Sequence, residues 1–301
     1  YKSTGSRYPI KMGNQFFNGR IRGVLKLDNN TDNNPIAVGD WVECTFENES
    51  DKLMNITYIY PRDNCIARSS IQNKNNQQIL AANIDQSLLI VSVKNPITPL
   101  GLIDRFLISN ELFHIKPLII FNKLDIYSDK EYQIFINLKS MYNQVGYEVF
   151  GVSVKTLDGL HEIIQILQNK TTLLCGQSGT GKTSFINALF KNNLRTKEVS
   201  ENTGKGMHTT TFAEMFDIGE NAAIIDTPGI KELGLVNIEQ AELSQYFPEM
   251  RPLLTHCKFN NCLHINEPNC AIKEAVNKNT IPLKRYESYL FMFDSILKKK
   301  Y

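Results

Sequence analysis

One stretch of the sequence has the glycine spacing of a loop that binds phosphate groups. Residues 176–183 read G-Q-S-G-T-G-K-T and match the pattern G-x-x-x-x-G-K-[ST]. Glycines let such a loop fold tightly and aim backbone N–H groups at phosphate oxygens, and the next helix adds its positive N-terminal dipole. Lys182 would reach the β- and γ-phosphates, and the Thr183 hydroxyl would bind Mg²⁺. The predicted phosphate-binding residues are Gly176, Gln177, Ser178, Gly179, Thr180, Gly181, Lys182, Thr183 and Ser184.

A second pattern, N-K-L-D at residues 122–125, indicates which base the nucleotide carries. Asp125 could accept two hydrogen bonds from the N1–H and 2-amino groups of guanine. Adenine offers neither in that arrangement and would leave the carboxylate unpaired. Asn122 could bond O6 or tie loops together. The predicted guanine-binding residues are Asn122, Lys123, Leu124 and Asp125, with Ser153, Val154 and Lys155 lining the site through backbone N–H groups.

The sequence D-T-P-G at residues 226–229 is typical of a γ-phosphate sensor. Asp226 would hold Mg²⁺ through water, and the Gly229 N–H would contact the γ-phosphate. Three threonines at 209–211 lie between this pattern and the glycine-rich loop, and one of them could close over Mg²⁺ as a switch. The order is circularly permuted, because small GTPases place the phosphate loop before N-K-x-D, whereas here it follows.

A cluster of thiols and an imidazole near the C-terminus has the spacing of a zinc site. Cys257, Cys262, His264 and Cys270 form C-x4-C-x-H-x5-C, a full tetrahedral set with no open position for substrate. We therefore expect a structural Zn²⁺. His256 could compete, but a ligand directly beside Cys257 would be cramped. The isolated cysteines, Cys44, Cys65 and Cys175, are interpreted as small core residues.

The elements that position these residues fall into three predicted domains. Residues 1–70 carry short strands at 21–27, 40–46 and 55–60, which predict a small β-barrel or sandwich. Residues 71–239 alternate apolar strands with amphipathic helices, which predicts a mostly parallel sheet covered on both faces. The Asn/Gln-rich stretch 72–78 reads as a loop or linker. Residues 240–301 hold the Cys/His cluster between helical stretches.

Composition excludes several classes of protein. The chain has 301 residues, 42% apolar and 21% charged, as in ordinary globular proteins. Its longest apolar runs are far shorter than the ~20 residues that span a bilayer, and no secretory signal is visible. Residues 251–301 carry nine basic and four acidic side chains, which allows a nucleic-acid partner but equally a solvated basic helix end.

Together these motifs resemble the RsgA family of bacterial GTPases that depend on the small ribosomal subunit. The resemblance covers nearly the whole chain and rests on N-K-L-D, S-V-K, the glycine-rich loop, H-T-T-T, D-T-P-G and the cysteine spacing, in that order. It implies an N-terminal OB-fold β-barrel, a circularly permuted P-loop GTPase domain and a C-terminal helical zinc-binding module. It also implies a cytoplasmic enzyme whose GTP hydrolysis is stimulated by the 30S subunit during late subunit maturation.

The resemblance assigns the switch threonine to Thr210, which would join Thr183 and Asp226 at Mg²⁺. The residue after Gly229 is Ile230, where Ras-like enzymes carry the Gln that orients water. His208 could position water instead when the ribosome orders its loop, although a loop-ordering or RNA-contacting role stays open. The predicted contacts to 16S rRNA, each also readable as a solvated charge, are Arg20, Arg22, Lys26, Lys298, Lys299 and Lys300.

Three other functions remain as alternatives. The first is an RNA-binding assembly factor that uses GTP as a clamp with little turnover, which stimulation by 30S subunits would distinguish. The second is a P-loop ATPase or kinase, against which Asn122 and Asp125 argue. The third is a zinc protein with an inactive P-loop, against which intact Lys182, Thr183 and Asp226 argue. Nothing in the sequence requires an oligomer or a membrane, so a monomer is expected.

Overall fold

The computed structural model describes residues 1–3, 7–21, 35–48, 50, 52–69, 77–194, 213–219, 221–227 and 238–299. The strands are β1 (Tyr8–Met12), β2 (Gln15–Ile21), β3 (Val42–Asn48), β4 (Leu53–Ile59), β5 (Cys65–Ser69), β6 (Gln77–Ala82), β7 (Gln86–Val91), β8 (Lys116–Phe121), β9 (Glu148–Gly151), β10 (Thr171–Gly176), β11 (Glu214–Gly219) and β12 (Ala222–Asp226). The helices are α1 (Leu100–Leu112), α2 (Asp129–Gln144), α3 (Leu160–Leu167), α4 (Lys182–Leu194), α5 (Ala271–Asn277) and α6 (Leu283–Lys299).

The N-terminal domain is a small β-structure, as predicted. Its four strands have the order β1-β2-β4-β3, and β2 runs parallel to β4 while the other pairs are antiparallel. Its core contains Tyr8, Ile36, Ile56 and Ile59. The strand predicted to begin at residue 21 in fact begins earlier, because β2 spans Gln15–Ile21. Residues 22–27 of the predicted strand lie outside the described residues.

A two-stranded hairpin, β5–β6, follows this domain and joins the next core. Val38 forms an isolated parallel bridge with Ala81, and Ile66 packs in the same cluster as the central sheet. Residues 72–78 were interpreted as a loop, but Gln77 and Gln78 belong to strand β6 and pair with β5. Residues 72–76 lie outside the described residues.

The central sheet has six strands in the order β11-β12-β10-β7-β8-β9. The pairs from β12 to β9 are parallel, and β11 is antiparallel to β12. One face packs against α1 and α2 through residues such as Phe106 and Phe135. The other packs against α3 and α4 through residues such as Ile163 and Phe185. The expected sheet with helices on both faces is therefore confirmed.

The C-terminal module is helical and has its own core. Short 3-10 turns at Leu243–Tyr246 and Arg251–His256 precede α5 and α6. The core of this module contains Phe247, Met250 and Tyr289 together with Ile108 of α1, so the module packs directly on the domain of the central sheet. None of the helices in the described part of the chain combines the length and apolar character needed to cross a lipid bilayer.

A buried arginine fixes this junction. The Arg285 guanidinium donates to Asp104 of α1 at 2.5 Å and to Glu249 at 2.7 Å, and all three side chains are almost fully buried. The Tyr142 hydroxyl also donates to Asp104, at 3.0 Å. Burial lowers the pKa of Arg285, but the carboxylates of Asp104 and Glu249 raise it, and the net pKa lies above its ordinary value. The guanidinium therefore stays charged.

Candidate nucleotide and metal sites

The glycine-rich loop connects the end of β10 to the start of α4, as its motif requires. The Lys182 ammonium folds back over the loop and donates to the Gly176 carbonyl oxygen at 2.5 Å. The Thr180 hydroxyl donates to the Gln177 carbonyl oxygen at 2.8 Å. Lys182 and Thr183 both lie in the first turn of α4, where the backbone N–H groups have no helical partner and the helix dipole is positive.

This loop touches the base-recognition loop at Gly181. Gly181 has a φ of +101°, and a Cβ there would lie 2.4 Å from Nδ2 of Asn122. That same Nδ2 donates to the Thr180 carbonyl oxygen at 2.9 Å. Glycine is required at this position because both the backbone angle and the contact exclude a side chain.

Asn122 is buried at the carboxyl end of β8 and ties three loops together. Its Oδ1 accepts from the backbone N–H of Lys123 at 2.8 Å and from that of Val154 at 3.2 Å, while its Nδ2 holds the phosphate loop. Of the two roles considered for Asn122, this geometry matches the linking of loops.

Asp125 is exposed, and a neighbouring hydroxyl orients it. The Ser153 hydroxyl donates to Oδ1 of Asp125 at 2.7 Å and accepts the Thr156 backbone N–H at 3.2 Å. This arrangement fixes one carboxylate oxygen, as a base-reading group requires. Lys123 has a φ of +71°, and its ammonium donates to the carbonyl oxygens of Asn95 at 2.5 Å and Gly179 at 2.7 Å. Its stem therefore spans from the base loop to the phosphate loop.

These loops surround a cavity of about 820 Å³. Its volume suits a nucleoside, because ligand pockets commonly hold ~300–1,000 Å³. Its lining brings together residues predicted from separate motifs and also apolar side chains that the motifs did not identify. The lining residues are Asn122, Lys123, Asp125, Ile126, Val154, Lys155, Leu157, Gly181, Ser184, Asn187 and Ala188.

Several residues at this site were missed by the sequence analysis: Tyr127, Leu157 and three further lining residues, Ile126, Asn187 and Ala188. The Tyr127 hydroxyl donates to the Asn122 carbonyl oxygen at 2.8 Å and accepts the Val93 backbone N–H at 3.0 Å, so it joins the ends of β7 and β8. Leu157 lines the cavity with half of its surface exposed and a φ of +69°. The sequence does not mark Tyr127 or Leu157 as site residues, because a tyrosine or leucine near a loop is equally common in a hydrophobic core.

The proposed Mg²⁺ ligands come from neighbouring elements. Asp226 is buried at the end of β12, opposite Leu174 of β10, and Thr183 lies in the exposed first turn of α4. A carboxylate and a hydroxyl are oxygen donors that suit Mg²⁺. Behind them, burial raises the pKa of the Cys175 thiol to about 12. Cys175 is thus a neutral core residue, in line with its interpretation.

Several predicted residues lie outside the described residues. They are the switch and sensor positions and part of the basic set: Arg22, Lys26, His208, Thr209, Thr210, Thr211, Gly229, Ile230 and Lys300.

The cysteine cluster converges in space. The four ligand atoms of Cys257, Cys262, His264 and Cys270 lie within 4.8 Å of one another. Sγ of Cys257 lies 3.9 Å from Sγ of Cys270, and Nδ1 of His264 lies 3.6 and 3.4 Å from these two sulfurs. Tetrahedral zinc with ordinary bond lengths would separate two sulfurs by about 3.8 Å and sulfur from nitrogen by about 3.6 Å. The residues therefore fit Zn²⁺, with Nδ1 as the histidine ligand.

The loop around these ligands is held by its own polar contacts. The Glu267 carboxylate accepts backbone N–H groups of Leu263 at 2.7 Å and Ile265 at 2.8 Å. The Tyr286 hydroxyl of α6 donates to the His264 carbonyl oxygen at 2.6 Å. His256 is exposed and does not belong to the cluster.

The fold and the site define a class of protein. A phosphate loop and a base loop of the GTPase type meet on one parallel sheet, with the base loop earlier in the chain, which is the arrangement of a circularly permuted P-loop GTPase. The family model described as RsgA GTPase matches residues 59–236, and the RsgA N-terminal domain model matches residues 1–53. This chain belongs to the RsgA GTPase family.

Individual relatives agree with this membership. The small ribosomal subunit biogenesis GTPase RsgA of Cytophaga hutchinsonii is 45% identical, over 96% of this chain and 95% of the relative. That of Flavobacterium psychrophilum is 42% identical, over 96% of this chain and 90% of the relative. The crystal structure of YjeQ from Thermotoga maritima matches with a TM-score of 0.76 at 31% identity, over 94% of this chain and 91% of that chain. YloQ, described as a circularly permuted GTPase, matches with a TM-score of 0.75 at 29% identity, over 99% of this chain and 93% of that chain.

Proposed function

We propose that this protein hydrolyses GTP on the small ribosomal subunit during biogenesis of that subunit. The observation that carries the proposal is the single cavity in which Asp125, Lys155 and the Gly181 end of the phosphate loop meet. The subunit comes from the names of the relatives, which are small ribosomal subunit biogenesis GTPases. A circular permutation does not hinder this chemistry, because the site is assembled in space rather than along the chain.

Asp125, held in place by the Ser153 hydroxyl, would select the base. Oδ1 of Asp125 is fixed by the Ser153 hydroxyl, and the exposed Asp125 lines the cavity. A guanine bound there would place its N1–H and 2-amino donors on this carboxylate. Adenine would leave the carboxylate without these donors, at a cost of a few kcal/mol.

Phosphate chemistry would be carried by the loop and its surroundings. Lys182 and the loop N–H groups would bind the β- and γ-phosphates, and Thr183, Thr210 and Asp226 would hold Mg²⁺, which neutralises charge that develops during transfer. Gly229 would contact the γ-phosphate through its N–H. Most of the transition-state stabilisation is then electrostatic and set by fixed groups.

Water positioning is assigned to His208. Ile230 stands where a Ras-like enzyme has the water-orienting Gln, and an apolar side chain cannot hold water. His208 precedes the threonines of the predicted switch and could supply that function once the ribosomal subunit orders the loop. Slow turnover of the free protein follows from this assignment.

The zinc module and the basic side chains would serve binding rather than chemistry. All four zinc ligands come from the protein, so the ion leaves no position for substrate and would be structural. Contacts to 16S rRNA are proposed for Arg20 of β2 and for the lysines at the end of α6, together with Arg22 and Lys26. The protein would act in the cytoplasm as a monomer.

A second candidate function is a GTP-dependent clamp on the subunit with little turnover. The observation that favours it is Ile230, because the chain lacks the usual water-orienting Gln after D-T-P-G. Both candidates bind GTP and the subunit, and only the first gains turnover on it.

Hydrolysis of GTP at fixed Mg²⁺, measured with and without purified 30S subunits and with ATP as the control, separates the two. We expect a large rise in GTP turnover with 30S subunits and none with ATP. His208→Ala should then remove the stimulation while leaving GTP affinity unchanged. Tight GTP-dependent binding to 30S subunits without any rise in turnover would contradict the first candidate and support the clamp.

A further inference from the structure

Three exposed aromatic residues lie in β4 and at the adjoining ends of β3 and β4. Trp41, Tyr58 and Tyr60 are 72%, 47% and 49% exposed. The Tyr60 N–H donates to the Trp41 carbonyl oxygen at 2.9 Å, and the rings of Tyr58 and Tyr60 meet edge to face at 5.2 Å. Glu43 pairs with Tyr58 in the strand register. We call these four residues, Trp41, Glu43, Tyr58 and Tyr60, the aromatic platform.

A β-bulge places Tyr58 on the aromatic platform. Glu43 pairs with Tyr58 but Cys44 pairs with Ile56, so Thr57 is an extra residue in β4. The Thr57 hydroxyl holds the bulge by donating to the Glu43 carbonyl oxygen at 3.1 Å. Without the bulge, strict alternation would put Tyr58 on the same side as Ile56, in the domain core. Bulges commonly re-aim a side chain at a functional surface.

The platform is not a missing part of the core. Ile56 and Ile59 of β4 are buried on the opposite face, with Val42 and Cys44 packed against them. Among the described residues, the three rings therefore lie outside the core of this domain. A contiguous group of exposed aromatic rings is characteristic of a binding surface, because large amphipathic rings supply much of the energy of protein interfaces.

The charge around the platform selects the partner. Residues 40–51 contain five carboxylates and no lysine or arginine in the sequence, and Glu43 is the one that the strand register places on the platform. Asp40 is paired with Arg62, and Glu43 lies on the platform itself. The basic residue that faces the same side from β2 is Arg20, which pairs with Asn55 beyond the bulge. Aromatic faces and carboxylates attract guanidinium and ammonium groups, whereas a phosphate backbone is repelled by this strand.

We propose that the aromatic platform binds an arginine- or lysine-rich segment of a protein partner. The cationic side chains would lie over the rings of Trp41 and Tyr60 and pair with Glu43. This contact is separate from the nucleotide site, and it does not depend on GTP hydrolysis.

The chain offers a direct reporter, because Trp41 is its one tryptophan. The full-length protein is titrated with hexa-arginine in 0.15 M salt while Trp41 emission is followed. We expect a saturable change in emission. Glu43→Lys should weaken the binding, and Tyr60→Ser should weaken it about fivefold, as expected for loss of about 1 kcal/mol of cation–π attraction.

Tyr132→Ser is the matched control, because Tyr132 on α2 is 48% exposed but lies in the nucleotide domain. It should leave hexa-arginine binding unchanged, and thermal melting checks that every variant is folded. Two results would overturn the proposal. One is an unchanged Trp41 emission at saturating hexa-arginine. The other is a stronger response to hexauridylate that Glu43→Lys increases, which would make the platform a nucleic-acid surface.

Discussion

Leu157 shows how a single residue can carry strain at a binding site. It has a left-handed backbone conformation with a φ of +69°, which costs a leucine about 1 kcal/mol or more. It is nevertheless 50% exposed at the wall of the nucleotide cavity, so burial in the core does not explain the leucine. Backbone hydrogen bonds from Leu160 and between Ser153 and Asp158 hold the turn. An apolar surface for the bound base is a physical reason for this side chain.

Replacement of Leu157 by glycine separates strain from binding. In Leu157→Gly, relief of strain should offset lost burial, so the free energy of unfolding should change by no more than about 1 kcal/mol. The Kd for GTP should rise about fivefold, because about 1 kcal/mol of apolar contact is removed. Fluorescent nucleotide titration and denaturant unfolding measure the two effects.

His114→Gly is the control, since His114 is exposed, has a φ of +55° and lies outside the cavity lining. It should leave the Kd unchanged. An unchanged Kd in Leu157→Gly would show that the leucine does not touch the base.

Asp125 gives a second test at the residue scale. In Asp125→Asn, the carboxamide cannot accept both guanine donors, and the affinity for GTP should fall by about 100-fold. Xanthosine triphosphate has a carbonyl in place of the 2-amino group, so the new amide donor should bind it and restore affinity. Competition titrations with both nucleotides measure this switch, with Asp129→Asn on α2 as the control. A loss for both nucleotides would mean that Asp125 supports the fold instead of reading the base.

At the scale of elements, the junction between α1 and α6 depends on one cation. Arg285 forms ion pairs with two buried carboxylates, Asp104 and Glu249, and its guanidinium carbon lies 4.8 Å from the centre of the Phe247 ring. Removal of one member of a buried ion pair leaves uncompensated charge and usually costs 3–5 kcal/mol. The junction therefore joins the zinc module to the nucleotide domain through a network that must be complete.

Arg285→Met should destabilise the protein by about 3–5 kcal/mol in urea unfolding. Adding Asp104→Asn and Glu249→Gln should recover part of this loss, because the uncompensated charges disappear. The exposed Glu274–Lys278 pair provides the comparison, and Lys278→Ala should change stability by less than about 0.5 kcal/mol. An equal loss of stability in Arg285→Met and Lys278→Ala would contradict the central role of Arg285.

The elements also show what a sequence can predict. The parallel strands were found because strands buried on both faces are continuous apolar runs, such as the fully buried β7. β11 was missed because this short edge strand has neither a continuous apolar run nor a strict alternation of apolar and polar residues. The convergence of the nucleotide motifs was predictable, since carboxyl ends of parallel strands share one edge. The roles of Tyr127 and Leu157 were not, because they depend on hydrogen bonds and backbone angles made only after folding.

At the scale of the whole molecule, the Cys/His cluster belongs to a module that packs on the nucleotide domain. Burial raises the pKa of the Cys262 thiol to about 12 and lowers the pKa of His264. Without metal the thiol is thus protonated and the imidazole neutral. Binding of Zn²⁺ must release the thiol protons, so zinc affinity should increase with pH.

Cys262→Ser should lower the zinc content below one ion per chain and destabilise the C-terminal module by several kcal/mol. Elemental analysis and thermal melting measure the two effects. Cys44→Ser changes a half-buried cysteine outside the cluster and should keep the zinc content at one. A full zinc content in Cys262→Ser would rule out the four-ligand site.

The strand order of the central sheet also has a consequence during synthesis. β7 is the first strand of this sheet to be made and lies between β8 and β10. A nascent chain completes β8 and β9 by residue 151, but β10 begins only at residue 171. Until then β7, which is fully buried in the finished sheet, has an open edge that can pair with another chain. In this permuted order, β10 both closes that edge and leads into the phosphate loop. Protection from aggregation and the capacity to bind nucleotide therefore arise at the same stage of translation.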